Sequence, residues 1–156
     1  MVKDEAPRVV FFDGTWRESL SLIEAARDWL NDAEAAAALD RRARAQLLVS
    51  CESMRLTARL AHIMAWLFVQ RAVAAGELPP GAAMRPENRL GDPEVCGVSG
   101  PRRETEALLP ARLRELLDSS LRLYERIARL DAMMDLCEGP GAPGLSPSGP
   151  GPGTAS

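Results

Sequence analysis

Apolar residues recur along this chain in rows spaced four and three apart, the period of one face of an α-helix. The clearest row is Leu109, Leu113, Leu116, Ser120, Leu123, Ile127, Leu130 and Met134, which predicts a helix over about 110–137. Pro110 suits its first turn, where a missing N–H costs nothing, and Gly139 is placed to end it. Two rows predict a second long helix over about 41–75. Leu56, Leu60, Ile63 and Leu67 form one, and Leu47, Cys51, Met54, Ala58, Ala61, Ala65 and Phe68 form the other. Rows on two faces predict two neighbours, and the small residues of the second row predict close approach by one of them. A shorter helix is predicted over about 15–31. Thr15 and Glu18 fit a capping box at its start, Leu20, Ile23 and Leu30 share one face, and Leu22, Ala26 and Trp29 share the adjoining one.

Glycine and proline divide these segments. Neither occurs in the 61 residues from Thr15 to Ala75, whereas Gly76 to Pro101 holds five of each. The Ala-rich stretch 33–40 reads equally as a helical extension or a soft link. An irregular connector is therefore expected over 76–103, after a flexible N-terminal segment over 1–12 and a bundle domain over 13–138. From Gly139 onward eleven of eighteen residues are Gly or Pro, and Leu145 is the one large apolar residue. Such a segment buries too little surface to offset chain entropy, so 139–156 is expected to be a disordered tail. The fold class is all-α: an antiparallel three-helix bundle with a Gly/Pro-rich C-terminal tail.

Charge adds to this picture. Asp13 to Glu34 carries six acids and two arginines, and Arg41 to Arg71 carries six arginines and one acid. The first two helices are thus expected to be complementary neighbours. Over the whole chain of 156 residues the net charge is −3, which disfavours a nucleic-acid binder. The most apolar window, Ala61 to Val69, falls far short of the roughly 20 residues a membrane span needs. The N-terminus does not read as a secretory signal, and three widely spaced cysteines suit a reducing compartment. A cytoplasmic protein is expected.

The inventory of reactive residues is poor. His62 is the single histidine, no serine sits in a nucleophile turn, no phosphate loop joins a strand to a helix, and the acids are spread along helix faces. No catalytic residue, cofactor site or metal site is assigned. For metal, the reason is distance: on one helix, Cys51 and His62 would stand roughly 16 Å apart. The more informative surface is an arc of the second helix holding Arg55, Arg59, His62, Trp66 and Gln70. A tryptophan among polar residues is the composition favoured in protein contacts, so these five are candidate interface residues. The alternative is that the first helix or the connector covers Trp66.

The segments Glu52-Ser53-Met54-Arg55-Leu56-Thr57-Ala58-Arg59-Leu60 and Ala65-Trp66-Leu67-Phe68-Val69-Gln70-Arg71-Ala72-Val73 resemble the alphaproteobacterial regulator of CtrA degradation family. Phe12-Asp13 through Trp29-Leu30, Leu108-Leu109-Pro110 and the Ser120/Leu123-Tyr124-Arg126/Leu130 pattern extend the likeness over about 11–136. The resemblance implies a three-helix bundle, a homodimer and a non-enzymatic adaptor. It implies as partners the ClpX and ClpP machinery, associated adaptors and response-regulator cargo such as CtrA. Two other readings fit the residues alone: a bundle holding a small ligand between its helices, or a purely structural homodimeric interaction module.

Overall fold

A computed structural model describes residues 8–32, 43–97 and 106–137. Within them the chain is helical. Helix α1 spans Arg8–Leu30, α2 spans Ala43–Ala74, a short α3 spans Pro93–Cys96 and α4 spans Ala111–Cys137. Two 3₁₀ turns, Pro80–Met84 and Pro86–Asn88, lie between α2 and α3. Among the described residues there is no strand. The Ala-rich stretch 33–40, the end of the expected connector and the tail 139–156 lie outside them.

The boundaries of α2 and α4 follow the predicted ones closely. Gly76 ends α2 in the left-handed conformation, φ 75°, and the amide of Glu77 reaches back to the carbonyl of Ala72 at 2.9 Å. The start of α1 differs from expectation. The helix begins at Arg8, so residues 8–12 are helical and Thr15 is no cap. Thr15 is a buried interior residue whose carbonyl accepts from the hydroxyl of Ser19 at 2.8 Å. Gly14 does not stop the helix, because propensity is a weak prior that packing overrides.

The core has two parts stacked along the bundle. One joins Ala26 and Trp29 of α1 with Val49, Leu56 and Leu60 of α2 and with Leu113, Leu116 and Leu117 of α4. The other joins Ile63, Trp66 and Leu67 of α2 with Leu123, Tyr124 and Ile127 of α4 and with Cys96 of α3. Sequence order along these clusters gives the helix directions. Helix α1 runs against both long helices, while α2 and α4 run the same way. The expected antiparallel bundle, in which consecutive long helices alternate in direction, is therefore corrected: α2 and α4 run parallel, and it is α1 that runs against both. Apolar periodicity carries no direction, and the segment between Ala74 and Ala111 is long enough to return along the bundle before α4 begins.

The two rows of α2 part company. Leu56, Leu60, Ile63 and Leu67 are buried as predicted. The row expected to hold a close second neighbour faces away from the core: Leu47, Met54 and Phe68 are 66%, 73% and 59% exposed. On α1 the Leu22–Ala26–Trp29 face enters the core, whereas Leu20 and Leu30 stay exposed. The interhelical ion pair from α1 runs to α4, between Glu18 and Arg126. Between α1 and α2, Trp16 meets Phe68 edge to face at 5.0 Å, and the guanidinium of Arg71 lies 4.4 Å over the Trp16 ring.

Candidate functional site

The five arc residues of α2 do not form one open face. Arg59, Trp66 and Gln70 are buried within the chain, and Arg55 and His62 are half-buried. The cover is the connector, one of the two covers the sequence left open for Trp66, together with α4, which was not among them. As an exposed interface the arc is corrected, because Arg59, Trp66 and Gln70 are buried and the polar atoms of Arg59 and Trp66 are bonded within the chain.

Arg59 shows how. Its Nε donates to the carbonyl of Cys96 at 2.6 Å, and its Nη1 donates to the carbonyl of Leu117 and to Oγ of Ser120, each at 2.9 Å. A planar fork with fixed donor directions is suited to tie three chain segments at once. Burial, the largest influence, pushes the guanidinium below its ordinary value. Trp66 donates its indole N–H to Oδ1 of Asp131 at 2.7 Å. Asp131, buried on α4, also accepts from Nε of Arg89 at 2.9 Å and from the amide of Leu90 at 3.3 Å. Arg89 Nη2 adds a bond to the Asp131 carbonyl at 2.8 Å. Arg55 turns back along its own helix to the buried carboxylate of Glu52 at 2.6 Å. Gln70 Nε2 has no hydrogen-bond partner among the described residues.

His62 sits where the connector crosses α2. Gly91 passes so close that a Cβ there would stand 3.2 Å from Nδ1 of the ring. Asp92 follows in the left-handed region, φ 58°, and its carboxylate accepts from the amide of Val95 at 3.2 Å, capping α3. Ligand atoms of His62, Asp92 and Cys96 all lie within 4.8 Å of one another. The separation that set aside a metal site concerned Cys51, which is exposed on α2 about three turns before His62. It does not apply to Cys96, which sequence spacing alone does not bring near His62. Burial, then Asp92, pushes the Cys96 thiol up, while Arg59 opposes the shift. Burial likewise raises the Tyr124 phenol, which donates to the Gly91 carbonyl at 3.0 Å.

A different surface is available to partners. The exposed row Leu47, Cys51, Met54, Ala61, Ala65 and Phe68 runs the length of α2 opposite the core. Beside it lies an apolar groove of about 440 Å³ between α1 and α2, walled by Ile23, Leu30, Ala61 and Met64 with Arg27 and Asn31 at one end. Adjoining patches of this kind mark sites of protein contact. The signal in the sequence was the row itself: its heptad spacing was legible, but not that the chain leaves it uncovered. No helix among the described residues is long and apolar enough to cross a membrane.

The family described as "Protein of unknown function (DUF1465)" matches residues 4–143. Among solved structures, the chain is similar to RcdA from Caulobacter crescentus CB15. The two are 36% identical, the match covers 79% of this chain and 89% of that one, and the TM-score is 0.62. No curated protein matches the chain.

Proposed function

The chain belongs to the regulator of CtrA degradation family, matched as DUF1465, and from that membership we propose that it is a non-enzymatic adaptor in regulated proteolysis. The observation that carries this reading is 36% identity to RcdA over 79% of the chain, together with a shared helical fold. On it, the protein works in the cytoplasm with the ClpX unfoldase and the ClpP peptidase, alongside associated adaptors. It brings cargo such as the response regulator CtrA to them and does not bind nucleic acid. Adaptors act by raising the effective concentration of cargo near the protease, which requires binding surfaces and no reactive centre.

The exposed row of α2 supplies such a surface, and the occupant we propose is a second copy of this chain. Its four-and-three spacing is that of a coiled-coil seam. An antiparallel partner centred near Ala58 sets Leu47 against Phe68 and Met54 against Ala61, so large residues meet small or complementary ones along the seam. The apolar groove beside it offers few convergent polar groups, which favours a protein surface over a small polar ligand.

The test is a reconstituted degradation reaction with purified ClpXP and CtrA-type cargo, with its associated adaptors, with and without the full chain. Faster cargo loss on adding the chain, with ATP turnover by ClpX little changed, is the expected result. Cargo loss at an unchanged rate over a range of chain concentrations overturns the adaptor reading.

A further inference from the structure

We propose that His62, Asp92 and Cys96 bind a divalent transition-metal ion, Zn²⁺ by the chemistry of the donors, clamping the connector onto α2. The three offer an imidazole nitrogen, a carboxylate oxygen and a thiolate sulfur, a mixed set that suits Zn²⁺ and disfavours Mg²⁺ or Ca²⁺. Their ligand atoms lie within 4.8 Å of one another. Tetrahedral Zn²⁺ with ordinary bond lengths places its donors roughly 3.4–3.8 Å apart. Closing the cluster therefore takes a shift of about 1 Å, within reach of side-chain rotation at these positions. Three protein ligands leave a fourth position open to water.

The backbone around the cluster is held in place from several directions. Tyr124 of α4 donates to the Gly91 carbonyl, and Arg59 of α2 donates to the Cys96 carbonyl. Asp92 keeps one carboxylate oxygen on the Val95 amide, leaving the other for a ligand bond. The missing side chain at Gly91 admits the imidazole against the loop. Such support, outside the ligands themselves, is what holds donors in place for an ion. None of these features is needed for adaptor activity, so the site stands independently of that reading.

The experiment is a Co²⁺ and Zn²⁺ titration of the full chain in a Cys51→Ser/Cys137→Ser background, which removes the other thiols. One equivalent of Co²⁺ is expected to give ligand-field bands of four-coordinate cobalt and a thiolate charge-transfer band, both lost on adding Zn²⁺. Zn²⁺ is also expected to raise Tm. Cys96→Ser abolishes the charge-transfer band, and His62→Ala and Asp92→Asn weaken Zn²⁺ binding roughly tenfold or more. Should Cys96→Ser fail to fold, His62→Ala decides, since that half-buried position lies within a long helix. A Co²⁺ spectrum without thiolate charge transfer overturns the proposal. So does a Zn²⁺ affinity and Tm rise that His62→Ala leaves intact.

Discussion

The indole N–H of Trp66 and the carboxylate of Asp131 meet at 2.7 Å across 65 residues of sequence, and the same carboxylate receives Arg89 and the Leu90 amide from the connector. One buried acid thus joins α2, α4 and the segment between them. Removing it takes an acceptor from the buried indole N–H and from Nε of the partly buried Arg89 guanidinium, while the Arg89 bond to the Asp131 carbonyl remains, and a buried donor that loses its acceptor costs more than a formed bond contributes.

Asp131→Ala is accordingly expected to destabilise the protein by about 2–4 kcal/mol in urea unfolding. Trp66→Phe keeps the ring packing and loses one bond, for about 1–2 kcal/mol. Trp66→Ala costs more, about 3–5 kcal/mol, through the cavity it opens. A Trp66→Ala protein that stays as stable as wild type would show that the ring is not part of the core. The same arithmetic means that loss of assembly in Trp66→Ala would report unfolding, not a lost interface.

Arg59 gives a second test. Arg59→Met retains most of the packing but leaves the Cys96 carbonyl and the Ser120 hydroxyl without their donor. The expected cost is about 2–4 kcal/mol, with faster amide exchange at Cys96 and Gly97, whose helical bonds to Asp92 and Pro93 depend on α3 staying docked. Arg59→Lys should recover little, since a single ammonium does not span Cys96 on one side and Leu117 and Ser120 on the other. Full recovery by lysine would mean that charge, not the fork, matters.

These two residues also mark where the sequence was legible and where it was not. The row from Leu109 to Ile127 is buried at every position, as its periodicity requires, and so is Leu56 to Leu67. Arg59 and Trp66 lie beside that second row on the helical wheel. A polar arc there reads as surface unless its partners are known, and those partners stand 37 to 65 residues away. Helix direction was illegible for a related reason, since an apolar row reads the same in either sense and only the path of the connector decides. His62 and Cys96 came together by that same path. The row Leu47 to Phe68 was seen correctly as apolar, but whether it is filled by this chain or by another is a property of the assembled fold.

That row yields a third prediction. Met54 is 73% exposed, so Met54→Glu is expected to change the stability of the single chain by no more than about 0.5 kcal/mol. If two copies pair along α2, the same substitution places a charge in the seam opposite Ala61. Light scattering on the eluted protein should then show the mass falling from that of two chains to one. Wild type eluting as a single chain would rule out the pairing, and a Met54→Glu dimer would move it to another face.

The glycines of the connector set an ordered series. A Cβ at Gly81 meets nothing within 4 Å, one at Gly91 stands 3.2 Å from the His62 ring, and one at Gly97 stands 2.7 Å from the backbone carbonyl of Pro93. Gly81→Ala is expected to be neutral or slightly stabilising, because it restricts the unfolded chain without a native clash. Gly91→Ala asks a side chain to yield by a few tenths of an ångström and should cost about 1 kcal/mol. Gly97→Ala drives a methyl into a carbonyl that is itself tied to the Gly97 amide at 3.0 Å, so backbone must move and α3 loosens. Its cost is expected to be the largest of the three, about 1–3 kcal/mol, and to be accompanied by faster amide exchange at Cys96. A melting series in which Gly97→Ala proves no worse than Gly81→Ala would show that α3 is not held against α2 and α4 in the way these contacts require.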